Sequence, residues 1–197
     1  MKMDEAWWSD RYRTGSTEWD AGDITTPLKE YFLQLHRKDL AILIPGCGNS
    51  HEAEFLVNQG FTNVTVLDIS SVLCETLEKK FSSHPGKHLQ VVCADFFTHA
   101  GAYDLIVEQT FFCALDPGLR PNYVEQVFKL LKPEGKLVGV LFDADFNEGP
   151  PFGGNKNLYT DLFKDLFRIR VMERCYSSIK PRMERELFIN LQKRSIH

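Results

Sequence analysis

The order of apolar runs along the chain predicts a doubly wound α/β fold: a mostly parallel, seven-stranded sheet with an antiparallel C-terminal strand. Three observations carry the prediction. Short continuous apolar runs alternate with segments of helical spacing, and parallel strands require such crossovers between them. The first run closes in the glycine turn Pro45-Gly46-Cys47-Gly48, the form of a strand-to-helix connection. The second, Val64 to Asp68, ends in a carboxylate.

Each element follows from its own signal. Leu28, Tyr31, Phe32 and Leu35 have helical spacing over Thr26 to Leu35, with Pro27 suited to a first turn. Leu40 to Ile44 reads as a buried strand. Ser50 to Gln59 reads as a helix that buries Ala53, Phe55, Leu56 and Val57 and stops at Gly60. Val64 to Asp68 is the second strand and Ser70 to Phe81 the next helix. Leu89 to Val92 is the third strand, followed by the loop Ala94 to Phe97. Tyr103 to Glu108 is the fourth, and Tyr123 to Leu131 the following crossover helix. Pro133-Glu134-Gly135 turns the chain into a fifth strand, Lys136 to Phe142. A loop rich in Gly and Pro spans Asn147 to Asn155, ahead of a helix near Leu158 to Leu166. Ile169 to Tyr176 and Glu186 to Gln192 complete the sheet.

At 197 residues the chain fits a single domain, 1–197, with a full core. A net charge of −4 without a basic run argues against nucleic acid as the ligand, and Lys79-Lys80 reads as the solvated end of a helix. No apolar stretch is long enough to span a bilayer, and Met1 to Trp19 lacks the hydrophobic centre of a secretory signal. The five cysteines are widely spaced and form no CxxC pair, which predicts free thiols and a cytoplasmic setting. The histidines make no cluster; between His84 and His88, Pro85-Gly86 predicts a turn, so no metal site is expected. A monomer is the simpler expectation for the oligomeric state.

Ligands of such sheets bind beyond the carboxyl ends of the strands. Four loops converge there: Pro45 to Asn49, Asp68-Ile69, Asp95-Phe96 and Glu108 to Phe112. Their backbone amides and carboxylates suit a cofactor containing adenosine. A dinucleotide needs the GxGxxG spacing, whose third glycine is replaced here by His51, and no Arg or Lys lies in the loop for a pyrophosphate. S-adenosylmethionine carries no phosphate. It needs a glycine turn (Gly46, Gly48) for its amino-acid part, an acid (Asp68) for ribose and a polar group (Asp95) for the adenine amine. Its sulfonium is also drawn to aromatic faces by about 0.5–2 kcal/mol, and Trp7, Trp8, Tyr12 and Trp19 crowd the segment ahead of the sheet. Residues 1–25 therefore read as an aromatic N-terminal lid. Plainer roles compete with these: Asp68 and Asp95 as helix caps, Glu108 as a partner for Arg120, the aromatics as ordinary packing.

The residues also carry a resemblance. The strings Gly15–Asp20 (GSTEWD), Ile44–Gly48 (IPGCG), Leu67–Ser70 (LDIS) and Asp95–Phe97 (DFF) are joined by Phe111–Ala114 (FFCA), Leu130–Pro133 (LLKP), Gly149–Phe152 (GPPF) and Ser178–Arg182 (SIKPR). With these, the chain resembles the thiopurine S-methyltransferase superfamily from about Trp8 to Leu191, within the branch of plant halide/thiol methyltransferases and their bacterial relatives. The resemblance implies a class I, Rossmann-like methyltransferase using S-adenosylmethionine and releasing S-adenosylhomocysteine. It implies that Trp8, Tyr12 and Trp19 border the cofactor. It sets Gly46 at the methionine part, Asp68 at ribose, Asp95 with Phe96 at adenine, and Glu108 and Gln109 beneath the methionine moiety. Phe152 falls where a loop approaches the acceptor pocket. Tyr12 departs from the plant branch, which carries Trp there.

The expected reaction is in-line displacement by a small soft acceptor, a thiol, thiopurine-like sulfur or halide. Orientation supplies on the order of 7–11 kcal/mol of barrier reduction in such reactions, and no catalytic base is named. Phe111, Phe112, Phe152 and Tyr176 are candidate pocket walls, with Arg120 and Arg182 as cations able to favour an anionic acceptor. The alternatives are a non-catalytic protein that binds the cofactor to regulate or scaffold a partner and, more distantly, a nicotinamide oxidoreductase.

Overall fold

The computed structural model describes residues 3–82 and 88–195; the turn expected at Pro85-Gly86 lies outside them. Seven strands form one sheet: β1 (Ile42–Pro45), β2 (Val64–Asp68), β3 (Leu89–Cys93), β4 (Tyr103–Gln109), β5 (Leu131–Phe142), β6 (Phe167–Arg174) and β7 (Glu186–Lys193). Their spatial order is β3-β2-β1-β4-β5-β7-β6. The first five are parallel, and β7 runs antiparallel to both β5 and β6. The strand order reverses between β1 and β4, so the tips of these two strands flank the switch point where ligands of such sheets sit.

Alternation along the strands builds two cores. Ile42 and Ile44 of β1, Val64 and Val66 of β2, and Leu105 and Val107 of β4 face α2 (Thr26–Leu33), α3 (His51–Asn58) and α4 (Ser71–Phe81). Leu43, Leu67 and Ile106 turn the other way, toward α5 (Arg120–Leu130) and α6 (Lys156–Phe163). Successive side chains on a strand point to opposite faces, and a sheet covered on both sides reads as an unbroken apolar run. All four residues of β1 are buried accordingly.

The structure departs from the sequence reading in a few places. Glu5–Thr14 forms a helix, α1, which the aromatic N-terminal segment did not announce. Asp4 caps it by accepting from the Trp7 N–H, and Gly15 ends it in a left-handed conformation, φ 72°. The fourth crossover helix begins at Arg120, one turn before Tyr123, because Pro121 takes the first-turn position. Strand β5 begins at Leu131: Pro133-Glu134-Gly135 bends the strand without ending it, with Glu134 at φ 63°. Lys80 is not simply solvated, since its Nζ donates to the Asn49 carbonyl at 3.1 Å and pairs with Glu54 at 2.7 Å.

Candidate functional site

The glycine turn is held open by its own geometry. Gly46 and Gly48 adopt φ of 56° and 50°, a region that side chains disfavour. A Cβ on Gly46 would also lie 2.2 Å from the Phe111 ring, so the two loops meet with nothing between them. The Cys47 N–H donates to Leu67 O at 3.3 Å, tying the turn to the adjacent strand. At that strand's tip Asp68 Oδ1 accepts from the Ser70 N–H at 2.9 Å. Ser70, not Asp68, is the cap of α4, accepting from the Leu73 N–H. Asp68 is 8% exposed, and burial pushes its carboxyl up to about 6 against the pull of backbone donors from Ser70, Gly48 and Ile69.

The Ala94 N–H donates to Asp68 O at 3.0 Å, which brings the third strand's loop alongside. Asp95 is exposed at the head of a 3-10 turn and accepts from the Phe97 N–H at 2.9 Å. The capping role weighed for Asp95 is thus present, and its outer lone pairs stay open to solvent. Phe96 is buried, its ring 5.2 Å from Phe111 and 5.5 Å from Tyr123, so that ring belongs to the core beneath the loop.

The N-terminal segment covers this edge. Glu5 accepts from the Ser71 N–H at 3.2 Å and the Ser71 hydroxyl at 2.8 Å, docking α1 on the start of α4. Ser9 and Ser70 hydroxyls meet at 2.9 Å. Trp8 packs edge-on against Trp19 at 5.6 Å, and Tyr12 does the same at 5.8 Å. Tyr12 Oη lies 3.8 Å, and Trp19 Nε1 4.0 Å, from where a Gly48 Cβ would stand. Burial raises the Tyr12 phenol well above its ordinary value, with Asp68 and Cys47 adding to the effect. Trp7 packs on Trp8 at 4.6 Å, with Arg11 over its ring at 4.2 Å.

Three contacts that the sequence did not disclose fasten the segment. Asp20 accepts from the Gly22 N–H and the Asn49 side chain, and its Oδ1 lies 2.8 Å from His51 Nε2. These donors hold its carboxyl below the usual range despite partial burial. Arg182 donates to Trp19 O at 2.6 Å. Thr25 donates to Gln109 Oε1 at 3.0 Å. The Trp-Asp pair was visible in the sequence, but its partners lie far along the chain.

Between this cover and the sheet lies a narrow, partly open cleft of about 40 Å³. Trp19, Gly46, Gly48 and Gln109 line it, together with Asp20, Asp23, Asn49, His51, Glu52 and Thr110. Trp8, Tyr12, Asp68, Ile69, Asp95 and Phe96 are not among the residues that line it. Its walls hold three carboxylates and no Lys or Arg. Such a cleft favours a ligand bearing positive charge and disfavours a pyrophosphate.

The opposite side is built differently. Glu108 is fully buried and accepts from the Phe111 N–H (2.9 Å), the Phe112 N–H (2.8 Å) and the Tyr123 hydroxyl (2.6 Å). Burial pushes its carboxyl up to about 7. It braces the loop after β4 and makes no pair with Arg120. Arg120 instead donates to Phe152 O (3.3 Å) and Gly153 O (2.9 Å), while the Phe152 N–H donates to Cys113 O at 2.6 Å. The Gly-Pro-Pro-Phe loop is thereby held with Phe152 half-buried. Burial pushes the Cys113 thiol up to about 12, so it stays neutral.

Two expected wall residues are corrected. Phe112 is 1% exposed and packs on Tyr123, Tyr159 and Phe163; the half-buried ring facing the glycine turn is Phe111. Consecutive residues on a tight turn point apart, and the sequence did not say which ring turns inward. Tyr176 is 88% exposed, with its hydroxyl 3.5 Å from Glu30 on α2. Arg182 is buried, spent on Trp19 O and on Glu186 at 3.7 Å.

Among known proteins, residues 3–193 match the family described as thiopurine S-methyltransferase. The chain is 35% identical over 147 residues to a probable thiol methyltransferase 2 of Arabidopsis thaliana, an alignment covering 73% of this chain and 65% of the relative. It is 32% identical to a thiocyanate methyltransferase 1 of Brassica oleracea, covering 81% and 72%. A crystal structure of a Burkholderia thailandensis N1-methyltransferase, bound to 1,6-didemethyltoxoflavin and S-adenosylhomocysteine, shares the fold with a TM-score of 0.75 at 16% identity, covering 97% and 87%.

Proposed function

The chain belongs to the thiopurine S-methyltransferase family, and from that membership we propose that it moves a methyl group from S-adenosylmethionine to a small soft nucleophile, a thiol, thiopurine-like sulfur or halide. The observation that carries the reading is the acidic cleft at the glycine turn, roofed by Trp19 and free of Lys and Arg. That donor set fits the cofactor, which brings a sulfonium and an ammonium and no phosphate. It also sets aside the nicotinamide alternative. The non-catalytic alternative finds no support, because the relatives are named as methyltransferases.

In this reading the whole chain is one catalytic domain, and its first 25 residues act as a lid. Asp68, followed by Ile69, accepts the ribose hydroxyls. Asp95 and the backbone at Phe96 meet the adenine. Gly46 and Gly48 admit the methionine part, with Gln109 beneath it and Glu108 supporting from below. Trp8, Tyr12 and Trp19 offer ring faces and edges around the sulfur. Bound there, S-adenosylmethionine supplies an already activated methyl group. What the chain adds is alignment and dryness: the lid excludes water, and the loop after β4 and the Phe152 loop set the line of attack. A thiolate or halide attacks with its own lone pair as the methyl–sulfonium bond breaks, and a thiol first releases its proton to solvent, so no side chain needs to act as base. Phe111 and Phe152 favour polarizable acceptors over hydrated amines. Arg182 and Arg120 hold Trp19 and the Phe152 loop at its two margins.

Five free thiols agree with a cytoplasmic setting, and no helix among the described residues is long and apolar enough to cross a membrane. The acceptor is a small molecule, and the protein acts as a monomer. Incubation with methyl-labelled S-adenosylmethionine and a panel of thiols, thiocyanate, iodide and thiopurines tests the proposal. Labelled methyl sulfide or methyl halide is expected; binding of S-adenosylhomocysteine with no turnover on any member would overturn it.

A further inference from the structure

Glu52 is a buried acid to which the roles above give no task. It stands in the first turn of α3, just beyond the glycine turn, and is 6% exposed. It lines the same cleft as Gly46, Gly48 and Asp20. Its carboxylate takes a hydrogen bond from its own backbone N–H. Among the described residues no cation forms an ion pair with it: His51 is turned to Asp20, and Arg182 to Trp19 O and Glu186.

An ionised carboxylate buried with no ion-pair partner in contact is costly, and the positive end of a helix and the more distant charges of His51 and Arg182 offset that cost only in part. Burial lifts the Glu52 carboxyl above its ordinary value against the pull of its own backbone N–H, His51 and Arg182, and the neighbouring Asp20 adds to the rise. Residues 45–50 carry no acid of their own, and the carboxylates that reach the turn are already engaged there, Asp68 by the Gly48 N–H and Asp20 by the Asn49 side chain. An arriving cation would relieve the strain at this point of the wall.

We propose that Glu52 holds the α-ammonium of the cofactor's methionine moiety. The proposal rests on S-adenosylmethionine being the ligand of this cleft. It gives a binding role to the one buried acid among the three carboxylates of the cleft wall.

Calorimetry with two ligands on two proteins tests it. The ligands are S-adenosylhomocysteine and its analogue with hydrogen in place of the α-amino group; the proteins are the full chain and its Glu52→Gln variant. The unaltered protein should bind S-adenosylhomocysteine roughly 10- to 100-fold more tightly than the amine-less analogue, the size of a charge-assisted hydrogen bond. Glu52→Gln should lose a similar factor for S-adenosylhomocysteine and nothing for the analogue. An equal loss for both ligands would assign Glu52 to the architecture of the cleft and overturn the proposal. Equal binding of both ligands by the unaltered protein would overturn it as well, and that arm needs no variant to fold. An unaltered protein that binds neither ligand overturns the cofactor reading, and this proposal with it.

Discussion

The two sides of the cleft are made by different means. On the glycine-turn side the polar atoms belong to the backbone or to short acids: Gly46, Gly48 and Asp68 are fixed by neighbours within a few residues or on the adjacent strand, and Asp20 is tied in by Asn49 and His51. On the acceptor side long side chains reach across the fold to clamp carbonyls: Arg120 on Phe152 and Gly153, Arg182 on Trp19. The first arrangement is rigid because the turn geometry dictates it. The second is adjustable, since replacing one arginine frees a loop without touching the sheet. A scaffold divided in this way keeps its donor site constant while its acceptor site is free to vary.

The sharpest way to break this comparison is at Asp68. Asp68→Ala should weaken S-adenosylhomocysteine binding on the order of 100-fold, as loss of a buried charged acceptor does, with the far-UV spectrum retained. Calorimetry showing unchanged affinity would remove the ribose assignment.

Next in size is a pH effect with two opposite signs. The Asp68 carboxyl rises from 3.8 to about 6 on folding. The folded state therefore holds its proton more tightly, and this residue's contribution to stability falls as pH rises from about 4 through 6. Cofactor binding needs the ionised form, so affinity should climb over the same interval, by up to about tenfold per pH unit below 6. Asp68→Asn should flatten both curves. Glu108, whose carboxyl rises from 4.5 to about 7, carries the same fall in stability on toward pH 7, and the raised carboxyls of Glu52 and Glu186 add to it in the same direction.

The lid gives a smaller effect. Trp19→Ala should weaken S-adenosylhomocysteine by roughly tenfold and Trp7→Ala by less than about twofold, a gap of the size expected for a ring facing a desolvated ligand against one at the rim. The reverse order would remove the lid. Smallest is Arg120→Met, expected to raise the acceptor KM by about fivefold through a loosened Phe152 loop, with cofactor affinity unchanged. A parallel change in both would show that the two sides are not separable.

What the sequence disclosed follows the same division. The strands, their order of crossovers, the glycine turn and the acids at strand tips all declare themselves locally, through period, spacing and turn chemistry. Asp68 and Gly46 were legible for that reason. The Asp20 contacts with Asn49 and His51, and the two arginine clamps, join residues between 29 and 163 positions apart. No periodicity records such pairs. Phe111 and Phe112 mark the boundary case: the pair was identifiable, but only the bracing of that turn by Glu108 decides which ring enters the core. Helix α1 was hidden by its composition, since Trp, Arg and Asp in alternation hide its docking face on α4.

The antiparallel end of the sheet carries a consequence for biosynthesis. Strand β7 lies between β5 and β6, though it follows both in the chain. A nascent polypeptide that has emerged from the ribosome only as far as β6 holds two open edges with no partner, and neither can close on the other in the native order. Removing β7 would not trim the rim of the sheet but divide its interior, leaving β6 without a strand partner. Truncation after Arg185 should therefore yield aggregating chains, where loss of residues beyond Lys193 should be tolerated.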